Sequence, residues 1–502
     1  MLSRLTQTMI LTATITAASP LPAQQDSLRR DTPLAAASLR ADLGVLRRAY
    51  ETLHPGLYRY RTREDVVRRF EAVDRYFGTD RTVAEAFLAL TRLTAAIRCG
   101  HSYPNFYNQS KAIREALFEG QDKVPVAFRW LGRRMIVTAD HAPDADLPRG
   151  TEILSIDGVP AHAILDSLLP LARADGGNDA KRVAYLEVQG QERFQPFDVL
   201  YPLVFPVREP RFTLVVRRPG TTATRRVVVA ALTAAERRAQ GGGSAEPAAD
   251  TPLWRYAEAN GIGVLTMPTW ATFNSKWNGT RWLDSVLDAA TARRLPDLVV
   301  DLRANEGGVD AGNQLLARLI DSPLQLPTYQ RHVRYRRVPD DLAPYLDTWD
   351  PSFRDWGAAA VGPVDSLFYR LVRFDDTKDG ADVITPAATR YRGRVWVLVG
   401  AVNSSATFQF ALAVKESGVA TLVGQPTGGN RRGINGGAFF FLRLPTTGLE
   451  IDLPLIAGFP TTPQPDAGVV PDILVTPTPR DIAAGIDAEM QAVRRAIVSR
   501  RR

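Results

Sequence analysis

The sequence predicts an α/β core that follows a helical N-terminal region and a β-rich module. From residue 253 onward, apolar β-branched runs alternate with segments of helical periodicity, as expected for parallel βαβ units. Residues 298–303 are largely apolar, which is typical of a strand buried on both faces of a sheet. Residues 395–402 form a second such run, which leads through a short polar turn into a helix predicted over 406–415.

The composition is that of a globular protein with more than one domain. The chain has 502 residues, of which 45% are hydrophobic and 23% charged, so it holds ample material for a core. Its net charge of +8 comes from 62 basic and 54 acidic residues, and the basic residues are scattered along the chain. No zinc-type spacing, phosphate-binding loop or RNA-binding motif occurs, so we expect no metal, no organic cofactor and no nucleic-acid partner.

Residues 1–23 have the features of a secretory signal. A positive Arg4 precedes a short apolar run at 9–18, and Ala23 ends a small-residue cleavage site. The run is too short to span a bilayer, and no other stretch qualifies, so we expect a periplasmic or secreted protein without a membrane segment. Cys99 is the only cysteine, which excludes an intrachain disulfide and predicts a buried thiol.

The remaining chain divides by pattern into successive regions. Helical spacing dominates one region, strands dominate the next, and a Gly-, Ala- and Pro-rich linker then precedes the core. An interruption rich in Arg, Tyr, Trp and Pro is interpreted as a lid over that core. The predicted bounds are a helical region at 24–122, a β-rich module at 123–235, a linker at 236–252, a core at 253–480 with its lid at 323–392, and a C-terminal helix at 481–502.

The β-rich module contains strands and one motif of recognisable order. Strands are predicted at 124–130, 135–139, 152–156, 212–217 and 225–229. Residues 150–158 read GTEILSIDG and lead into a short helix. This order of glycines and apolar positions resembles the second half of a PDZ domain. The carboxylate-binding loop of PDZ domains has no counterpart here, so the resemblance does not imply binding of chain termini.

Three short polar segments follow predicted strands of the core. They read DLRANEGG at 301–308, NSSA at 403–406 and GQPTGG at 424–429. Parallel strands end at the same edge of a sheet, so we expect these segments to meet. A serine at a strand-to-helix turn can expose an activated hydroxyl beside helix N–H groups. Serine is also a favoured helix N-cap, so the turn alone leaves both roles open.

Together with GVVPD at 468–472, this ordered set resembles the S41 family of serine peptidases, which includes the C-terminal processing proteases and the tricorn core. The resemblance implies a crotonase-like α/β core and a peptide or protein substrate. It implies that Ser405 is the nucleophile, with Ser404 as its rival. It also implies an oxyanion hole built from Gly307, Gly308 and Ala406.

The general base of the processing proteases is missing. They carry a lysine at the position of Asn430, and a carboxamide cannot take a proton at neutral pH. Lys415 lies about three helical turns from Ser405, too far to replace it. His101, in the segment CGHSY, resembles the catalytic histidine of tricorn-like members, and the ordinary pKa of histidine suits a base. The sequence therefore favours a Ser–His pair over a Ser–Lys dyad.

The other histidines are weaker candidates. His54 is interpreted as a helix-end residue, although it could line the same cleft. His141, His162 and His332 are interpreted as surface residues.

The acid that would orient His101 is less well defined. Tricorn-like members draw it from the region of GVxPD, which implies Asp466, with Asp472 and Glu306 as alternatives. Asp is also common in turns, so a purely structural role fits as well. Arg431 and Arg432 follow the Gly-rich loop and are candidates to hold a substrate carboxylate, or else they are solvated loop residues. Asp301, Arg303 and Asn305 are interpreted as structural.

The sequence thus predicts an exported serine peptidase that acts through an acyl-enzyme, with Ser405, His101 and Asp466 as its catalytic residues. The main alternative is a non-catalytic peptide-binding protein that uses the PDZ-like module and a degenerate core. The missing lysine favours that alternative. Acyl-CoA chemistry on a crotonase-like core is a third option, and the predicted export argues against it.

Overall fold

The computed structural model describes residues 28–190, 192–240, 250–327, 329–373 and 383–501. The predicted signal segment at 1–23 and the central part of the predicted linker, 241–249, lie outside the described residues. Three six-stranded sheets and two two-stranded ones organise the described chain. None of the helices in these ranges combines the length and the apolarity that crossing a membrane requires.

The N-terminal region is helical, as the apolar spacing predicts. Three of its four helices begin at polar caps: Thr82 and Glu85 form a capping box, Thr62 accepts a hydrogen bond from the backbone of Asp65, and Ser110 accepts one from that of Ile113. The first helix ends at His54, directly before Pro55, because proline disfavours helix at the preceding residue. The helices are Ala36–Leu53, Arg63–Tyr76, Val83–Ala96 and Lys111–Leu117, and a short strand pair joins Pro33–Leu34 to Arg81–Thr82.

The β-rich module contains all five predicted strands, with ends shifted by at most two residues. They form one antiparallel sheet: Val126–Leu131, Arg134–Asp140, Glu152–Ile156 with its hairpin partner Val159–Pro160, Arg211–Arg217 and Thr224–Ala230. Four helices accompany the sheet: Ala161–Leu168, Asp179–Tyr185, Pro196–Val204 and Ala234–Gln240, with 3-10 turns at Pro143–Ala145 and Leu169–Leu171.

The core sheet is parallel apart from one edge strand. In spatial order its strands are Ile473–Leu474, Thr421–Gly424, Arg394–Val399, Asp297–Asp301, Ile262–Thr266 and the antiparallel Arg255–Ala259. Three helices cover one face: Gly279–Ala292, Ala311–Leu319 and Ser405–Ser417. Helix Ala488–Arg501 covers the other face, where Val493 and Ile497 pack on Trp396 and Leu398. The central strands are therefore buried on both sides, as their apolar sequences predict.

The C-terminal segment differs from the single helix predicted at 481–502. It forms a short helix, Pro479–Ala483, and the longer helix Ala488–Arg501. Gly485 separates them with a φ of 65°, a left-handed conformation that ends a helix and that glycine adopts without a steric penalty.

Residues 323–392, interpreted from sequence as a lid, are built into a second antiparallel sheet. In spatial order its strands are Leu346–Asp347, Asn435–Arg443, Glu450–Pro460, Tyr329–Val333, Tyr369–Leu371 and Ala360–Val361. A two-stranded pair joins Leu324–Gln325 to Val383–Ile384, and 3-10 turns lie at Ala343–Tyr345, Pro351–Arg354 and Gly357–Ala359. The strands of this segment thus pair with strands Asn435–Arg443 and Glu450–Pro460 of the predicted core region.

A buried carboxylate fastens the N-terminal region to this second sheet. Asp42, on the first helix, is 1% exposed. It accepts hydrogen bonds from the backbone N–H and the hydroxyl of Thr446 (2.8 and 2.7 Å) and from the N–H of Thr447 (2.8 Å). These threonines lie in the turn that joins strands Asn435–Arg443 and Glu450–Pro460.

We predict that Asp42→Ala lowers the free energy of unfolding by about 1–3 kcal/mol, because three donors lose their acceptor. Urea denaturation followed by fluorescence measures the change. The control is Asp341→Ala, which removes an exposed carboxylate that pairs with Arg48 across the same two regions (3.1 Å). An exposed pair contributes about 0–1 kcal/mol, so equal effects of the two variants would contradict the prediction.

Candidate active site

The turn at 403–405 lies between strand Arg394–Val399 and helix Ser405–Ser417. Ser405 has a φ of +50°, a left-handed conformation that is costly for a residue with a side chain. Such strain costs about 1–3 kcal/mol and persists where the surroundings enforce it, which is most often at functional sites. The sharp strand-to-helix turn matches the geometry by which nucleophilic serines are exposed above a sheet.

The buried carboxamide of Asn403 brings the three polar segments together. Its Nδ2 donates to the carbonyls of Leu302 (2.6 Å) and Asn305 (2.8 Å) in the first segment. Its backbone carbonyl accepts from the N–H groups of Gly428 (2.7 Å) and Gly429 (2.9 Å) in the third. The three strand ends therefore meet at one edge of the parallel sheet, as the topology argument predicts.

The glycine pair packs directly against the serine turn. Gly307 and Gly308 have φ values of 130° and 141°, which favour glycine. A Cβ on Gly307 would lie 2.8 Å from the Cβ of Ser405 and 3.2 Å from the nitrogen of Ala406. A Cβ on Gly308 would lie 2.1 Å from the carbonyl oxygen of Trp270, so a side chain fits at neither position.

Two of the three predicted oxyanion donors have an N–H available. The N–H of Gly307 donates to the side chain of Asn305 (2.9 Å) and is therefore occupied. Ala406 lies in the first turn of its helix, where N–H groups have no intrahelical acceptor. The N–H groups of Gly308 and Ala406 are the donors that remain beside Ser405, while Gly307 provides the space.

The two serines of the turn face different surroundings. Ser404 is 4% exposed, and its hydroxyl donates to the backbone carbonyl of Glu306 (3.1 Å). Ser405 is half-buried and lines a cleft of about 710 Å³ together with Gly308 and Ala406. Only Ser405 therefore presents its side chain to a space that a substrate can enter.

Apolar and polar groups share the wall of this cleft about equally. The apolar side chains come from the core helices, from the second antiparallel sheet and from residues 323–392, and they include Leu316, Leu326, Ile384, Phe410, Ile434 and Ile456. A cleft of this kind accommodates an apolar side chain beside Ser405.

His101 lies in a half-buried position among charged groups. The N–H of Gly100, which precedes it, donates to Asp175 (2.9 Å), and the His101 ring packs against Phe439 with 5.9 Å between ring centroids. Within the described part of the chain, Nδ1 of His101 is buried and makes no hydrogen bond. Burial lowers the pKa of His101 from its ordinary value; Asp175 and Glu306 oppose this shift, whereas nearby cations reinforce it.

The other histidines lie in structural or surface positions. His54 is buried at the end of the first helix and accepts from the N–H of Gly56 (3.1 Å), and burial with a nearby Arg334 lowers its pKa to about 3. His162 is exposed, as predicted. The prediction that His332 is a surface residue is wrong. It is 7% exposed, because strand Tyr329–Val333 turns it between the rings of two phenylalanines, Phe368 and Phe459.

Asn430 stands where the resemblance to the processing proteases predicts a lysine, and both polar atoms of its side chain are hydrogen-bonded. Its Nδ2 donates to Asp466 (2.6 Å) and to the backbone carbonyl of Asp175 (3.3 Å), and its oxygen accepts from the N–H of Arg432 (2.9 Å). Asp466 is exposed and also accepts from the N–H of Gly177 (2.8 Å). Asn430 thus joins Asp466 to the loop at 175–177, beside the backbone that carries His101.

The remaining candidates contact other protein groups. Asp472 pairs with Lys415 and accepts from the N–H of Leu422 (2.8 Å), so it links helix Ser405–Ser417 to strand Thr421–Gly424. Arg431 approaches Glu416 (3.6 Å). The Arg432 guanidinium lies over the ring of Tyr60 (5.3 Å).

Glu306, named from sequence as an alternative acid, is paired with two cations. Its carboxylate contacts Lys181 (2.6 Å) and Arg173 (3.0 Å). Burial alone would raise the pKa of Glu306, but the two cations reverse the shift and lower it to about 2. Glu306 is therefore ionised throughout the physiological range.

Sequence analysis missed two buried residues at this site. Asp175 is 1% exposed beside Gly100, and Lys181 is 2% exposed with its ammonium group against Glu306 and Ser404. Both lie in a stretch of the β-rich module that carries no motif. An acidic residue before two glycines marks a turn, but nothing local in the sequence shows that either charge is buried.

Part of the chain matches a known protein family. Residues 261–440 match the model of Peptidase family S41, and the matched stretch includes Ser405 and the glycine pair. No curated protein sequence matches the chain.

Solved structures extend the likeness beyond the matched stretch. Mature CPAF in complex with lactacystin is similar with a TM-score of 0.64 and 17% identity, over 92% of this chain and 97% of that one. Mature CPAF gives a TM-score of 0.59 and 15% identity, over 89% and 94%. The photosystem II D1 C-terminal processing protease gives a TM-score of 0.41 and 14% identity, over 90% and 98%. CPAF therefore shares the overall fold, including the N-terminal region and the β-rich module.

Residues 261–440 of this α/β serine peptidase match Peptidase family S41.

Proposed function

We propose that this peptidase cleaves peptide bonds with Ser405 as nucleophile and His101 as general base. The observation that carries the proposal is the strained turn at Ser405. It directs the side chain into the cleft, beside the N–H groups of Gly308 and Ala406. Peptide or protein substrates follow from the family, and the apolar side chains in the cleft favour an apolar side chain next to the cleaved bond.

The chemistry proceeds in two acyl-transfer steps. His101 takes the proton of Ser405 as Oγ attacks the peptide carbonyl, and the oxyanion is held by the two N–H donors. The C–N bond breaks as His101 passes the proton to the amine that leaves. A water molecule then attacks the acyl-enzyme, gives a proton to His101, and releases the carboxylic acid with Ser405 restored.

The lysines near the site are less suitable as bases. Lys415 pairs with Asp472 on the far side of its helix. Lys181 directs Nζ at three acceptors, which stabilise its protonated form against the burial that lowers its pKa. Burial keeps His101 neutral at pH 7, the form that a base requires. This also weakens the peptide-binding alternative, whose main support is the absent lysine.

For the acid that orients His101 we favour Asp175 over Asp466. Asp175 is buried, bonds to the N–H of Gly100, and retains one carboxylate oxygen without a hydrogen bond among the described residues. Nδ1 of His101 is likewise buried without a hydrogen bond among the described residues. Asp466 is exposed and uses one oxygen to bind both Asn430 and Gly177. We propose that Nδ1 of His101 donates to this oxygen of Asp175 during catalysis, as the mechanism requires.

The surrounding architecture extends the proposal. We interpret the parallel core as crotonase-like. We interpret the β-rich module as PDZ-like, since hairpin Glu152–Ile156 and Val159–Pro160 leads into helix Ala161–Leu168 in the order of that fold. We retain export, on the basis of residues 1–23, as part of the proposed function.

We predict that a fluorophosphonate probe labels Ser405, and that Ser405→Ala abolishes labelling and lowers kcat/KM by about 10⁴-fold or more. Intact-protein mass spectrometry and hydrolysis of a peptide substrate measure the two effects. The control is Ser417→Ala, at the far end of the same helix, where the hydroxyl donates to the carbonyl of Ala413 (2.7 Å) and accepts from the N–H of Val419 (3.4 Å). Equal labelling of wild type and Ser405→Ala would falsify the assignment.

We predict that kcat/KM rises with pH through a pKa below about 6.5 and is flat above it, because burial lowers the pKa of His101 and only the neutral ring accepts a proton. His101→Ala should lower kcat/KM by about 10³-fold or more across that range. His162→Ala, which changes an exposed histidine, is the control. A rise of kcat/KM with pH near the ordinary pKa of lysine, about 10, would instead point to a lysine base.

We predict that Asp175→Asn lowers kcat by about 10²- to 10⁴-fold, because the imidazolium loses its carboxylate. The acid limb of the pH profile should also move to lower pH, since Asp175 raises the pKa of His101. Asp466→Asn is the matched comparison and should cost less than about tenfold. The opposite order of effects would return the orienting role to Asp466.

A further inference from the structure

We propose that Lys181 is a positioning residue that locks the serine turn onto the glycine loop and so sets the geometry of the oxyanion hole. We define the Lys181 clamp as the group formed by Lys181, Glu306, Val402 and Ser404. The inference rests on the proposed role of Ser405 as nucleophile.

The helix that carries Lys181 is anchored to the third polar segment. Asn178 caps this helix, and its oxygen accepts from the N–H of Lys181 (3.2 Å). Its Nδ2 donates to the carbonyls of Thr427 (2.8 Å) and Gly429 (3.0 Å). The stem of Lys181 passes so close to Gly428 that a Cβ there would lie 2.7 Å from its Cδ. The side chain is thereby aimed from the β-rich module into the serine turn.

Each of the three N–H bonds of the ammonium group has an acceptor. Nζ donates to the carboxylate of Glu306 (2.6 Å), to the carbonyl of Val402 (2.8 Å) and to the hydroxyl oxygen of Ser404 (3.2 Å). Ser404 gives its own proton to the carbonyl of Glu306, so its oxygen acts as an acceptor towards Lys181. A lysine that is 2% exposed is tolerated only when it is paired and hydrogen-bonded in this way.

These contacts close a ring between two catalytic loops. Glu306 directly precedes Gly307, and Ser404 directly precedes Ser405. Lys181 binds both loops, while Ser404 and Glu306 also bind each other. The two oxyanion donors, from Gly308 and Ala406, belong one to each loop. The spacing between those donors therefore depends on the clamp.

The consequence for catalysis is a loss of transition-state stabilisation rather than of substrate binding. One oxyanion donor is worth about 10²- to 10³-fold in rate, and a displacement of about 1 Å costs about 10²-fold. Lys181 touches neither the substrate cleft nor Ser405 in the contacts described here, so KM should change little. A lysine acting instead as the base of Ser404 would make Ser404 the labelled residue.

The test compares Lys181→Met, Ser404→Ala and the double variant, with kcat normalised to sites titrated by a fluorophosphonate probe. We expect Lys181→Met to lower kcat by about 30- to 100-fold with KM within about threefold of wild type, and labelling to remain at Ser405. The kcat of the double variant should lie within about threefold of the kcat of Lys181→Met, because both changes open the same ring. Lys415→Met, on the nucleophile helix, is the matched control and should leave kcat unchanged.

Several outcomes would overturn the inference. One is a kcat of Lys181→Met within threefold of wild type. Another is a reduction of kcat in the double variant that equals the product of the reductions in the two single variants. The third is loss of probe labelling in Ser404→Ala. If Lys181→Met does not fold, Glu306→Gln takes its place in the test. This variant keeps the side-chain shape of Glu306 but weakens its bond to Lys181. An unchanged kcat of Glu306→Gln refutes the proposal. Failure of the proposed function is distinguishable, because it would appear as a wild type that is not labelled at Ser405.

Discussion

The active site depends on one buried carboxamide. Asn403 satisfies its side chain and its carbonyl with backbone groups from two other strand ends, and its oxygen accepts from the N–H of Gly400 (2.7 Å). In a buried setting each of these groups would be costly without a partner, so the three loops are stable only when they are assembled together. Ser405 lies two residues after Asn403, and this assembly rather than its own helix holds its strained φ.

Asn430 stands where the resemblance to the processing proteases predicts a lysine, and it links Asp466 to the backbone of Asp175. The charge near the nucleophile turn comes instead from Lys181, which enters from the β-rich module and is balanced by Glu306. The site thus keeps a buried cation beside the turn, but the cation is fixed as a hydrogen-bond donor, and the proposed base moves to His101.

The sequence predicts those parts of the molecule that local chemistry determines. The core strands, the turn at Ser405 and the glycine pair follow from apolar runs and from backbone needs that few residues meet. Lys181 and Asp175 were missed because their burial arises from tertiary packing, which leaves no periodic signal. His332 was misplaced for a similar reason: the arginines around it suggest a solvated stretch, whereas a strand alternates its faces and turns the histidine inward.

The proposed catalytic groups come from more than one region of the chain. The family match at 261–440 contains Ser405, Gly308 and Ala406, but the proposed base and the clamp lysine come from the preceding regions. The helical region delivers His101 through the turn after Val83–Ala96, and the β-rich module delivers Lys181 through a helix capped onto the third polar segment. Asp42 ties that helical region to the sheet beside the cleft. The proposed nucleophile and oxyanion hole therefore belong to one segment, while the groups proposed to activate and align them come from the regions before it.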